Sequence, residues 1–141
     1  MLVFQNLKKK KKAQWLVNAD VVHSFTYVPD AAKALYLLAK NEDAFAQTWH
    51  LPTAALPLTG KNFIQQAAAA MHAKDGVSVL SKTMLRIAGL FVKTIRESYE
   101  LIYQSEFPYI FDSTKFTNRF KFNTTSYVQG IKETAERALK A

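Results

Sequence analysis

Apolar positions along this chain recur with two different spacings, and polar or proline-containing breaks separate the two. Leu2, Val3, Phe4 and Leu7 are spaced as on one face of a helix and run into Lys8–Lys12. Cations near a helix C-terminus complement its dipole, so the chain is expected to open with a short helix. Residues 13–17 (AQWLV) and 23–28 (HSFTYV) are rich in aromatic and β-branched side chains and flank the polar bend Asn18-Ala19-Asp20. Each predicts a strand or extended segment. Pro29 supplies a stop and Asp30 a cap for the helix 31–40, in which Ala31, Ala34, Leu35 and Leu38 share a face.

Farther on, TWHL (48–51) predicts a short strand, and Pro52 and Pro57 fence a loop. Thr59 is expected to cap a helix over GKNFIQQAAAAMHAK, whose alanine tract permits close approach of another element. VSVL (77–80) predicts a strand after Gly76. Ser81 or Thr83 then starts one long helical stretch from Met84 to Tyr103, bent at Gly89. Residues 107–116 change from extended to helical near Asp112, and Thr124 or Thr125 begins the last helix. The sum is an α/β chain, helix-rich with a few short strands, and those strands are too few to cover all the apolar helix faces.

Composition sharpens this picture. At 141 residues, with 49% hydrophobic and 21% charged, the chain has the makings of one packed core and is too apolar to be disordered. Its four glycines, at 60, 76, 89 and 130, are too scattered for a glycine-rich phosphate loop. The absence of cysteine excludes disulfides, thiolate zinc sites and a cysteine nucleophile. The three histidines have no short ligand spacing, so no metal site is expected. The net charge of +8 owes five of its nineteen basic residues to Lys8–Lys12, a run without interleaved arginine or aromatic residues. It reads as a solvated helix end, with no nucleic-acid or membrane partner. The apolar opening precedes the positive charges, the reverse of a secretory signal, and no run approaches the roughly 18 residues of a membrane span. A cytoplasmic location is the expectation.

The segment SFTYVPDAAKALYLLA, together with His23 before it and QTWHLPT, DSTKF and the helical tail after it, carries a resemblance. It is similar to the C-terminal half of an NAD(P)-dependent epimerase/dehydratase of the extended short-chain dehydrogenase/reductase superfamily. There an aromatic-Val-x-Asp signature, here Tyr27-Val28 with Asp30, is followed by an alanine-rich helix. The resemblance runs in order along almost the whole chain. It implies that residues 1–141 form one partial domain, the substrate-binding portion of a Rossmann-type fold, without the dinucleotide-binding half.

That half would carry the family's glycine fingerprint, catalytic Ser or Thr and Tyr-x-x-x-Lys pair, so no catalytic or cofactor-binding residue is expected here. NAD(P) belongs to the intact family. A small-molecule substrate is likewise implied for full-length relatives, and a homodimer or the missing half is the partner implied for the bare surface. The resemblance places His23, Ser24 and Tyr27 along the substrate cleft, Trp49 at a strand end where such sheets bind ligands, and Tyr103 in the variable substrate lobe. Strand alternation would set His23, Phe25 and Tyr27 on one face and Ser24 and Thr26 on the other, so only one set could line a pocket. Tyr36 and Lys40 reproduce the Tyr-x-x-x-Lys spacing, but on a downstream helix, where they read as an amphipathic edge. Asp112 is expected to cap the helix after it.

Overall fold

The computed structural model describes residues 2–140, and the chain is mixed α/β, helix-rich, with few and short strands. Helix α1 (Leu2–Lys8) leads into strand β1 (Ala13–Leu16), which pairs in parallel with β4 (Val77–Leu80), Ala13 facing Val77 and Leu16 facing Leu80. The connection between them includes α3 (Gly60–Ala70), capped as expected by Thr59, whose hydroxyl accepts from Asn62 N at 3.1 Å. The alanine tract explains where the core sits. Ala67 and Ala68 of α3 and Ala135 of α7 (Tyr127–Lys140) are buried, and their small side chains let the helices pack closely. Val3, Phe4, Leu7, Phe63, Ile64, Met71 and Ile131 fill the remainder.

A second pair, β2 (Val22–His23) and β3 (Leu58–Thr59), is antiparallel, and a single bridge from His23 to Tyr109 extends it. Packed apart from the main core lies an aromatic cluster on α6 (Thr114–Phe120). Fully buried Phe116 meets Trp49 edge-on at 6.2 Å, Phe120 at 4.8 Å and Phe122 at 5.5 Å.

Several expectations are corrected. TWHL forms no strand, because Trp49 turns toward α6 and its indole N–H donates to Ala44 O at 2.9 Å. The long helix is three pieces: α4 (Lys82–Phe91), α5 (Lys93–Ser98) and a 3-10 segment (Tyr99–Ser105). The break falls at Val92, whose backbone is extended, while Gly89 lets the chain double back: a Cβ there would lie 3.3 Å from Arg96 Cα. The last helix is capped by Ser126, which accepts from Gln129 N at 3.3 Å, rather than by either threonine. Helix α2 (Val28–Lys40) starts before Asp30, since Pro29 has no N–H to lose and fits a first turn. Asp30 therefore does not cap it. Asp112 acts one residue ahead of the cap position, accepting from Thr114 N at 2.9 Å. Among the described residues, no helix is long and apolar enough to cross a membrane.

Candidate functional site

The extended stretch from Ser24 to Tyr27, with Val28 at the start of α2, and the start of α7 face each other across a cavity of about 320 Å³ floored by Phe4, Phe63 and Ile131. Hydrogen bonds strap the stretch at both ends. Ser24 N donates to Tyr109 O at 2.9 Å, and Ser24 Oγ accepts from Phe111 N at 3.1 Å. In the middle, Phe25 N donates to the Tyr127 hydroxyl at 3.2 Å. Beyond it, buried Asp30 accepts from Thr125 N at 2.7 Å and Thr125 Oγ1 at 3.0 Å, which ties the first turn of α2 to the approach of α7. Phe25 adds a ring contact with Phe63 at 4.8 Å and an edge contact with Tyr127 at 6.1 Å.

The lining is apolar below and hydroxylated above. Ser24, Thr26, Thr125, Ser126 and Thr134 contribute hydroxyls, and among the described residues no ionisable acid or base lines the cavity apart from tyrosine. Ser24, Thr125, Ser126 and Thr134 each make a hydrogen bond within the protein, yet a hydroxyl can donate once and accept twice, so capacity remains. Such a lining suits a small uncharged molecule with hydroxyl or carbonyl groups.

At one edge the Tyr27 hydroxyl donates to Glu133. Donation to that carboxylate, more than burial, raises the Tyr27 pKa above 10.0. The same bond, with a second from Gln129, holds Glu133 below 4.5. The two signs bound a pH window. The contribution of Glu133 is present above its unfolded value and is lost as pH falls through the lowered folded one; that of Tyr27 is present below its unfolded value and is lost as pH rises through the raised one. The stability difference between the native chain and Tyr27→Phe is therefore expected to be flat between those two values and to shrink beyond each. Urea titrations of both proteins across pH check this; a difference that stays constant into acid contradicts it.

Of the residues the resemblance put at a substrate site, only Ser24 and Tyr27 line this cavity. His23 lies behind it, its ring stacked 6.3 Å from Phe25, with Nε2 buried and without a hydrogen-bond partner among the described residues, and burial lowers its pKa. Trp49 belongs to the α6 cluster, where Lys115 Nζ lies 4.1 Å from the centre of its ring. Tyr103 is exposed on the 3-10 segment. The expected alternation does not hold: Ser24, Phe25, Thr26 and Tyr27 all line the cavity, because strand geometry ends at His23. Tyr36 and Lys40 do share a helix edge, the ammonium 5.6 Å from the ring centre, and Tyr36 is exposed. Thr125, Ser126, Tyr127 and Thr134 form the wall that sequence reasoning missed. The run TTSY before a helix was its available signal, read only as a cap. No family model, curated protein or solved structure matches the chain.

Proposed function

We propose that this chain is the substrate-binding portion of an NAD(P)-dependent epimerase/dehydratase-like protein, and that it transfers no hydride by itself. The observation that carries the reading is the cavity itself: the segment bearing the aromatic-Val-x-Asp signature forms one wall of a strapped, hydroxyl-lined space of small-molecule size. The unfinished sheet supports it. Parallel strands are normally buried on both faces in a larger sheet, whereas β1 and β4 pair only with each other among the described residues, and Leu16 and Val79 are partly exposed. On α2, Leu35 is 56% exposed, an apolar position that a further layer would cover.

The residues present do not fit NAD(P). Gly60 is the glycine that opens a helix directly after a strand, but the next glycine is Gly76, so no glycine-rich phosphate loop stands there. Binding, orientation and exclusion of water from a substrate are what this stretch contributes.

A second reading, a non-catalytic interaction module acting as a homo-oligomer or with a partner chain, is favoured by α4 and the segments after it, where Leu90, Phe91, Leu101 and Phe107 are exposed. One experiment separates the two. Ligand-observed NMR of the purified chain against uncharged polyols and hydroxy-carbonyl compounds is expected to give binding that Thr134→Leu, which removes one of the lining hydroxyls and narrows the cavity, weakens. NADH and NADPH are expected to be neither bound nor turned over. Binding unchanged by Thr134→Leu, or turnover of either cofactor, refutes the first reading. Absence of any small-molecule binding, with a concentration-dependent oligomer in light scattering, favours the second.

A further inference from the structure

A separate cavity of about 500 Å³ lies where α1 and α3 end, lined by Lys10, Lys11 and Lys12 from one side and His72 to Gly76 from the other. We propose that it binds a small anion carrying several adjacent phosphates. The lysine run alone did not indicate this, because half of the site comes from elsewhere in the chain. The parallel pairing of β1 with β4 begins at Ala13 and Val77, and Ala13 N donates to Gly76 O at 2.9 Å, which sets Lys12 beside Gly76 and carries Lys74 and His72 alongside.

Charge balance favours an anion. Four lysines line the cavity, Lys8 and Lys9 flank it, and none of the six makes an ion pair among the described residues. Against them stand Asp75 and two helix C-termini, each equivalent to about half a negative charge, which together offset about two of the four lining lysines. The remainder is uncompensated cation in a concave site, where field lines converge.

Backbone geometry brings the two sides of the cavity together. After α1, Lys10 N donates to Leu7 O at 2.9 Å and Lys11 N to Asn6 O at 2.8 Å, and Lys10 has φ 55°. After α3, His72 N donates to Ala69 O at 3.2 Å and Ala73 N to Ala68 O at 2.9 Å, and His72 has φ 50°. Both are Schellman endings with the left-handed position, ordinarily glycine, held by a side chain that can carry a positive charge. The two turns thereby carry Lys10 and His72 to one cavity.

The lining also selects among anions. Lysine ammoniums are compact point charges without the guanidinium fork, and among the described residues no phenylalanine, tyrosine or tryptophan lines the cavity, so that His72 is its one ring. This favours a phosphate chain over a nucleic-acid strand.

Calorimetry with inorganic tripolyphosphate at low salt tests the proposal on the full chain. Binding is expected to weaken as salt rises, and to weaken roughly tenfold in the Lys12→Gln/Lys74→Gln double variant. Lys10→Gly is expected to raise Tm while weakening binding. Lys121→Gly, which relieves the same kind of strain at the end of α6, is expected to raise Tm without changing binding. ATP binding equal to that of tripolyphosphate would assign recognition to the phosphate chain alone, and tighter ATP binding would assign a nucleotide; both support the site. No binding, unchanged affinity in the double variant, equal affinity for inorganic monophosphate, or a bound DNA duplex that tripolyphosphate does not displace would overturn it.

Discussion

Phe116→Ala is expected to lower the unfolding free energy by about 3–5 kcal/mol, the range for removing a fully buried phenylalanine. Phe116 is completely excluded from solvent and is the hub of the α6 cluster, touching Trp49, Phe120 and Phe122. The side chains around it cannot close the space easily. Trp49 is held by its indole hydrogen bond to Ala44 O and by the Lys115 ammonium over its ring, and Lys115 also donates to Thr48 O at 3.1 Å. Inward collapse would break these contacts, so a residual cavity adds to the lost transfer energy. The outcome is read from urea unfolding followed by circular dichroism, with tryptophan emission reporting the cluster, to which Trp15 adds a background that stays constant until the main core unfolds. Because the α6 cluster packs apart from the main core, emission is expected to change more than helical signal does before the global transition. A loss below about 1 kcal/mol, inside the range of surface substitutions, would mean that the cluster is already loose.

That separation between two packed regions explains which parts of the fold could be read from the sequence. Strand β4 was legible because Gly76 and Ser81 bracket four residues of strong β character, and α3 was legible because Thr59 announces a helix former's run. Both signals are local. The strand wrongly assigned to TWHL has an equally apolar composition, but no neighbouring strand supplies hydrogen bonds, and packing against Phe116 decides its path instead. The break at Val92 depends on how closely Arg96 approaches Gly89, a tertiary fact that helix propensity cannot register.

The cavity shows the same limit. Its first wall, Ser24 to Val28, was singled out by the resemblance, while its second wall meets the first only through contacts spanning 95 to 106 residues. Asp30 illustrates what was missed. A carboxylate after Pro29 looks like the cap of its own helix, yet it serves the approach to another, and only the folded chain brings Thr125 to it. The basic cavity divides in the same way, since Lys8–Lys12 stands out in the sequence and Lys74 does not.

Gly60→Ala tests how the main core supports the candidate site, because two physical effects predict opposite signs for it. Gly60 is the first residue of α3, so helix propensity alone favours alanine by up to about 1 kcal/mol. Its φ is not positive, and the backbone does not object to a side chain. Sterics do. A Cβ built there would lie 2.6 Å from Trp15 Nε1 and still closer to Cε2, a separation that real Cβ atoms essentially never show. The indole has little room to retreat, because it packs edge-on against Phe25 at 6.0 Å and against Phe63 at 6.1 Å. Overpacking of this kind typically costs about 1–3 kcal/mol, so the net expectation is destabilisation despite the better helix former. Displacement of Trp15 would also press on Phe25 and Phe63, which line the cavity. Gly60→Ala is therefore expected to weaken small-molecule binding there, while Gly60→Ala/Trp15→Phe, with the smaller ring, recovers part of both losses. Urea midpoints and the NMR binding assay on the single and double variants measure the coupling. A Gly60→Ala protein as stable as the native chain would show that the Trp15 ring is free to move away from the opening of α3.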